Sequence, residues 1–167
     1  HRDSVPTTES EFKLLCEKAQ IDLSRKEVIW YTGEENWFCL YQYLKQTSSL
    51  DGDVAEFGVF KGGSAYLMAS AMKHMQMDRG KTLYLFDTFE GIPTQSPMDH
   101  IAEKSFAGKG LQQVEELFSE FKNVKFIQGD VCQTLPHAGL NVLSLVHIDC
   151  DPTSQANPFV NNFMERW

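Results

Sequence analysis

Four short apolar runs alternate with helix-like stretches, and this alternation constrains the fold of the 167-residue chain more than any other feature. The first run begins at Asp53, and the other three cover residues 82–87, 124–130 and 143–149. They are mostly continuous rather than alternating in polarity, which is typical of strands buried on both faces. The sequence therefore predicts an α/β fold with a doubly wound, mostly parallel sheet covered by helices.

Helical periodicity marks the segments before and between these strands. Apolar residues spaced i, i+3, i+4 and i+7 predict amphipathic helices over residues 12–19 and 37–44. A third helix follows the first strand and carries a stripe of methionines, which is more typical of a core than of a cofactor site. We therefore expect residues 1–50 to form a helical cap on a sheet domain of residues 51–167, the two making one globular unit.

Charge and cysteine content exclude several classes of function. A net charge of -8 disfavours nucleic acid and anionic membranes as partners, because both are negatively charged. The four cysteines form no C-x-x-C pair, which favours free thiols in a reducing cytosol over a zinc site or a disulfide framework. No apolar run reaches the roughly 18 residues of a membrane helix, and the first ten residues lack the core of a secretory signal. We expect a cytoplasmic protein with a small-molecule partner.

A glycine-rich turn, EFGVFKGGS, follows the first strand. Gly58, Gly62 and Gly63 allow a sharp turn and the close approach of a ligand, and the free N–H groups of the next helix favour an anionic group. Val59 and Phe60 occupy the place of the second glycine in G-x-G-x-x-G, which disfavours a dinucleotide. The turn favours a smaller ligand with one carboxylate, and a purely structural turn is the alternative.

The first three strands each carry an acid within or just after them. Glu56 lies inside the first strand, where it needs a partner: a ligand ammonium, or a hydrogen bond within the protein. Asp87 ends the second strand and is placed to accept hydrogen bonds from ribose hydroxyls, with a helix N-cap or turn as the alternative. Asp130 follows the third strand and is placed to receive the amine of an adenine that packs on Val131, or simply to form a turn.

Two further acids, Asp149 and Asp151, stand at the end of the fourth strand. Residues at i and i+2 of a strand point to the same side, and paired carboxylates suit Mg²⁺. His147 shares that side, either as a base or partner of the acids or as a hydrogen-bonded core residue. This strand end is therefore a candidate centre for metal-assisted acid–base chemistry.

Together these motifs resemble the macrocin O-methyltransferase-like family of class I S-adenosylmethionine-dependent methyltransferases, many of which act on sugar hydroxyls of natural products. The resemblance rests on DVAEFGVFKGGS, LFDTFEGIP, GDVxxTLP and VHIDCD, and it covers about residues 31–151. It implies a Rossmann-like fold, S-adenosylmethionine as cofactor and assistance by Mg²⁺ or a similar divalent cation. The function that it implies is methylation of a hydroxyl on a small molecule, a sugar or glycoside.

The resemblance also implies roles for individual residues. Asp149 is implied as a metal ligand and Asp151 as the catalytic base, with His147 as the next candidate for that base. The implied cofactor-binding residues are Thr32, Glu56, Gly58, Gly62, Gly63, Ser64, Asp87, Thr88, Phe89, Asp130, Val131 and Asp149.

The sequence departs from the family pattern after Asp151. The family continues with a further strand and an adjacent acidic pair that completes the metal site, whereas PTSQANPFVNNFMERW carries a single acid, Glu165. A sheet that lacks the usual C-terminal strands leaves the outer edge of residues 143–149 unpaired, which favours missing segments or a partner chain such as a homo-oligomer. The alternative function is a truncated, non-catalytic module that binds the cofactor or a partner.

Overall fold

The computed structural model describes residues 10–25, 33–90 and 110–149, which form helices packed on a four-stranded sheet. In chain order the elements are α1 (Ser10–Arg25), α2 (Glu34–Thr47), β1 (Asp53–Phe57), α3 (Gly63–His74), β2 (Leu83–Asp87), α4 (Leu111–Leu117), β3 (Val124–Gln128), α5 (Val131–Thr134) and β4 (Leu143–Ile148). Two 3₁₀ turns, Met77–Arg79 and Leu135–His137, follow α3 and α5.

The strands lie in the order β3-β2-β1-β4, and all three pairings are parallel. The doubly wound parallel sheet predicted from the sequence is confirmed. β1 is central, and its Glu56 lies opposite Leu85 of β2 and His147 of β4. Because the strands run in one direction, their carboxyl ends share one edge of the sheet, which is where ligands bind in such folds.

Each face of the sheet has its own core. Leu83 and Leu85 pack on one face with buried residues from α1, α2, α3 and α4. Tyr84 and Phe86 pack on the other face with Leu135 of the second 3₁₀ turn. This separation follows from the two-residue period of a strand. The near-complete burial of both sets explains why β2 reads as a continuous apolar run.

The first three helices bury the apolar stripes predicted from the sequence. Phe12 and Cys16 of α1 and Trp37 of α2 are buried, and Met68 and Met72 of α3 lie in the same core. The core interpretation of the methionine stripe is therefore correct. The division into a cap of residues 1–50 and a domain of residues 51–167 stays a prediction. None of the helices in the described ranges has both the length and the hydrophobicity needed to cross a bilayer.

The third strand ends earlier than its sequence pattern predicts. β3 ends at Gln128, not at Asp130, because Gly129 turns with φ 133° and Asp130 caps a short helix, α5. In the described part of the chain β4 pairs with β1 alone. A further segment or a partner chain on the outer edge of β4 stays a prediction.

Lys81 joins the loops at the amino end of the sheet. Its ammonium donates to the backbone carbonyls of Leu50 and Gly52, the latter at 2.7 Å, and to Ser144 Oγ at 3.1 Å. We expect Lys81→Met to lower the free energy of unfolding by about 1–2 kcal/mol in urea titrations, because three acceptors lose a charged donor and two of these contacts are partly buried. Lys122→Met, at an exposed position, is the control. Equal stabilities of the two variants would contradict this role.

Candidate functional site

The carboxyl ends of the central strands are joined by backbone hydrogen bonds. Gly58 N–H donates to Phe86 O at 2.9 Å, and Asp149 N–H donates to Phe57 O at 2.8 Å. Gly129 N–H donates to the backbone oxygen of Asp87 at 2.9 Å. The segments that follow β1, β2, β3 and β4 therefore meet at one edge, and the structure brings together the strand-end residues that the sequence predicts.

Glu56 forms a buried polar cluster with Ser64 and His147. Its side chain is 0% exposed. Ser64 Oγ donates to Oε1 at 2.6 Å, and His147 Nδ1 lies 2.9 Å from the same oxygen. The other oxygen, Oε2, is buried and has no hydrogen-bond partner among the residues that the structure describes. One carboxylate oxygen thus bonds within the protein, and the other is buried without a hydrogen-bond partner among the described residues.

Proton affinity is raised on both sides of the Glu56–His147 contact. Burial raises the pKa of Glu56, against the opposing hydrogen bonds from His147 and Ser64. The hydrogen bond to Glu56 raises the pKa of His147, against the opposing effect of burial. The raised pKa of His147 is in the direction expected for an imidazole N–H that donates to a buried carboxylate, whereas the raised pKa of Glu56 comes from burial and is opposed by this contact. With Nδ1 as donor, Nε2 is the nitrogen that the neutral ring leaves as an acceptor.

Asp87 accepts three backbone hydrogen bonds. Its Oδ2 accepts from the N–H groups of Val59 at 2.7 Å and Phe60 at 2.8 Å, and its Oδ1 accepts from Phe89 N–H at 2.8 Å. The sequence leaves two roles open for Asp87, a contact with a ribose or a structural cap or turn, and these hydrogen bonds show the turn role. Thr88 follows β2 directly, and its hydroxyl accepts from Glu90 N–H at 3.3 Å. Contacts of Asp87, Thr88 and Phe89 with a ribose stay a prediction.

The glycine-rich turn leads directly into α3. Gly62 caps the helix with φ 87°, and Gly63 is the first helical residue. The positive φ of Gly62 favours glycine, and an added Cβ atom would lie 3.1 Å from both Leu117 Cδ2 and Phe118 Cε2, a tight contact that these side chains would have to relieve by shifting. The turn therefore packs closely against the side chains at the end of α4.

Asp130 is the N-cap of α5, and its Oδ1 accepts from Cys132 N–H at 2.8 Å. Val131 is partly buried against the core of the second sheet face. The predicted turn role of Asp130 thus takes the form of a helix cap, a role that short polar side chains favour. Contacts of Asp130 and Val131 with an adenine stay a prediction.

Asp149 directly follows β4 and is exposed. Within residues 10–25, 33–90 and 110–149, no group of three or more His, Cys, Asp or Glu residues is arranged to hold a metal ion. Asp151 and Thr32 lie outside the described residues. A metal site at Asp149 and a base at Asp151 therefore stay predictions.

The sequence patterns do not predict two sets of contacts in this site. Val59 and Phe60 were considered only as side chains that exclude a dinucleotide, whereas their backbone N–H groups bind Asp87. The contact between Glu56 and His147 depends on how β1 and β4 align, which no local motif reports. An acid at the end of β2 following a turn with free N–H groups is the signal that could have indicated the first of these contacts.

Comparison with known proteins places the chain in a family. Residues 39–160 match the model of the macrocin-O-methyltransferase (TylF) family. The chain is 26% identical over 140 residues to 8-demethyl-8-(2,3-dimethoxy-alpha-L-rhamnosyl)-tetracenomycin-C 4'-O-methyltransferase of Streptomyces olivaceus, a match of 75% of this chain and 53% of that protein. It is 28% identical over 116 residues to demethyldecarbamoylnovobiocin O-methyltransferase of Streptomyces niveus, covering 62% of this chain and 44% of the relative. The chain thus spans about half the length of the curated relatives it matches.

Solved structures share the fold. The O-methyltransferase NovP superposes with a TM-score of 0.71 at 22% identity, covering 92% of this chain and 76% of that chain. The calicheamicin methyltransferase CalS11 superposes with a TM-score of 0.63 at 17% identity, covering 93% of this chain and 74% of that chain. These likenesses confirm the predicted fold, and the family match covers all four strands of the described sheet. The chain belongs to the macrocin O-methyltransferase family.

Proposed function

We propose that this protein is an S-adenosylmethionine-dependent O-methyltransferase that methylates a hydroxyl of a small molecule, a sugar or glycoside. Membership of the family supports the reaction class, and both curated relatives are named as O-methyltransferases. The name of the tetracenomycin relative includes a rhamnosyl group, which favours a sugar acceptor here. The observation that carries the proposal is the buried Glu56 carboxylate beside the glycine-rich turn, with one oxygen that no described residue satisfies.

The residues at this edge fit the methionine half of the cofactor, which carries an ammonium and a carboxylate. A fully buried carboxylate oxygen without a partner is costly, and a ligand ammonium removes that cost. Oε2 of Glu56 meets this description. The turn at Gly62, which has a φ of 87° that favours glycine, leads into α3, whose first N–H groups favour the ligand carboxylate.

We assign the remaining contacts by strand end. Asp87, Thr88 and Phe89 border the ribose, and Asp130 and Val131 border the adenine. The other residues proposed to line the cofactor site are Thr32, Gly58, Gly63, Ser64 and Asp149. The bound cofactor supplies an electrophilic methyl group, so the main task of the protein is to hold the acceptor oxygen in line with it.

Deprotonation of the acceptor falls to residues at the end of β4. A sugar hydroxyl is a poor nucleophile near neutral pH and needs a base. We propose Asp151 as that base and Asp149 as a ligand of Mg²⁺ or a similar cation. His147 is the alternative base: in the tautomer whose Nδ1 donates to Glu56, 2.9 Å away, Nε2 accepts a proton.

A non-catalytic binding module is the second candidate. It requires only the cofactor contacts proposed at Glu56 and the glycine-rich turn, and neither a base nor a metal ligand at the end of β4. Such a module binds the cofactor, or a partner, without transferring a methyl group. Incubation with labelled cofactor, Mg²⁺ and a set of rhamnosides separates the two, because only the enzyme transfers label to a glycoside.

Calorimetric titration of S-adenosylmethionine into the intact chain tests the cofactor assignment. We expect a Kd in the micromolar range, which corresponds to a binding free energy on the order of -8 kcal/mol. A parallel titration with NAD is the control, and we expect no binding because Val59 and Phe60 crowd the place of a pyrophosphate-binding glycine. Equal binding of both ligands, or of neither, by a chain of the correct mass would contradict the proposal.

A further inference from the structure

Asp87 bonds to two separate turns at the carboxyl edge of the sheet. The β1 turn (residues 58–62) supplies the N–H groups of Val59 and Phe60, and the β2 turn (residues 88–90) supplies that of Phe89. All three donor–acceptor distances lie between 2.7 and 2.8 Å. Hydrogen bonds to an ionised carboxylate are short and stronger than those between neutral groups. One side chain therefore fixes both turns.

Two of the three donors belong to residues in an unfavourable backbone conformation. Phe60 has φ 52° and Phe89 has φ 56°, values in the left-handed region that non-glycine residues rarely adopt. Such conformations persist only where the surroundings enforce them, and they cluster at functional sites. Each of these residues donates its own N–H to Asp87, so the carboxylate offsets the strain at the position where it arises.

We propose that Asp87 is a positioning residue, which holds the β1 turn and the β2 turn in their ligand-binding conformations before any ligand is present. Its effect on cofactor affinity rests on the proposed function, and its effect on the two turns does not. The β1 turn ends at Gly62 and leads directly into α3, whose first turn contains Ser64 and is proposed to hold the methionine half of the cofactor. The carboxylate thereby affects that half of the site through the turn, in addition to any contact with the ribose.

Hydrogen exchange without cofactor tests the proposal directly. Asp87→Asn keeps the shape of the side chain, but one orientation of its amide places an NH₂ group against two N–H donors and the other against one. We expect the amides of Val59, Phe60 and Phe89 to exchange at least about tenfold faster in this variant, by NMR. Protection of Ala55, in the centre of β1, is expected to persist and reports that the sheet is intact. Unchanged exchange at the three amides would overturn the proposal.

Asp130→Asn is the matched control for this experiment. Asp130 also follows a strand at the same edge, but its carboxylate caps α5 through Cys132 N–H, and asparagine is an equally good cap. We expect no change in the exchange of the two turns. Faster exchange in both variants would mean that the turns respond to any loss of charge at this edge, which would also overturn the specific role of Asp87.

Binding measurements with two ligands separate the effect of the β1 turn on cofactor affinity from that of a direct contact between Asp87 and the ribose. We expect Asp87→Asn to weaken binding at least about fivefold both for S-adenosylmethionine and for an analogue that lacks both ribose hydroxyls. A loss confined to the hydroxylated cofactor would overturn the effect of the turn on affinity. If the wild-type chain binds neither ligand, the proposed function fails, whereas the exchange experiment still decides the role of Asp87.

Phe60→Gly provides a test that does not depend on a fully stable variant. Glycine adopts a φ of 52° without steric cost, so this substitution removes the strain at position 60. We expect Phe60→Gly to slow the exchange of the Val59 amide in the Asp87→Asn background, so that part of the lost protection returns. No recovery of protection in the double variant would contradict a carboxylate that offsets strain at Phe60.

Discussion

Replacing Glu56 by glutamine is expected to lower the affinity for S-adenosylmethionine about 100-fold, as measured by calorimetry. The carboxylate is 0% exposed, and its Oε1 already accepts from Ser64 and contacts His147. Glutamine can keep its carbonyl oxygen in that place, but it then puts an NH₂ group where Oε2 stands. A ligand ammonium would meet a donor instead of a charged acceptor, and losing a buried charged hydrogen bond costs about 2–4 kcal/mol.

Ser64→Ala is the comparison for this experiment. It removes the hydroxyl that donates to Oε1 at 2.6 Å and leaves Oε2 unchanged. We therefore expect a loss of affinity of less than about tenfold, in line with one neutral hydrogen bond. Circular dichroism should show both variants folded. If folded Glu56→Gln binds the cofactor as tightly as the wild-type chain, Oε2 does not face the ligand, and Glu56 serves only to hold Ser64 and His147.

The sheet was predictable because its signals are local. The apolar run that became β2 is buried on both faces, and that burial alone explains its composition. The end of β3 was misplaced by two residues because the predicted run includes Gly129 and Asp130, although glycine and aspartate are typical of turns and helix caps. What ends the strand is the positive φ of Gly129 and the cap formed by Asp130.

The chemistry of the site was only partly predictable, because it depends on contacts between distant segments. The sequence indicates that Glu56 needs a partner, but the partner His147 is set by the register of two strands that are far apart in the chain. Likewise, the sequence indicates an acid at the end of β2, but the donors to Asp87 are backbone groups, which have no residue type to recognise. Residue types thus predict which positions matter, and the fold determines what each position contacts.

Replacing Gly52 by alanine is expected to lower the free energy of unfolding by about 2–5 kcal/mol, as measured in urea. Gly52 has φ 109°, and an added Cβ atom would lie 2.8 Å from the carbonyl oxygen of Val142 and 2.9 Å from its carbonyl carbon. Backbone atoms cannot rotate away as a flexible side chain does. The same carbonyl oxygen accepts from Asp53 N–H at 2.9 Å, where the pairing of β1 with β4 begins. Backbone strain and steric overlap each contribute about 1–3 kcal/mol.

Two other glycines separate these contributions. Gly139 has φ 69° and nothing within 4 Å of an added Cβ atom, so Gly139→Ala introduces strain alone and should cost about 1–2 kcal/mol. Gly80 has a negative φ and open space, so Gly80→Ala should stay within about 0.5 kcal/mol of the wild-type chain. If the contact with Val142 matters, the loss of unfolding free energy is largest for Gly52→Ala, smaller for Gly139→Ala and smallest for Gly80→Ala. A cost at Gly52 no larger than that at Gly139 would mean that the amino end of β4 moves away from β1 easily, as the partial burial of every β4 residue up to His147 allows.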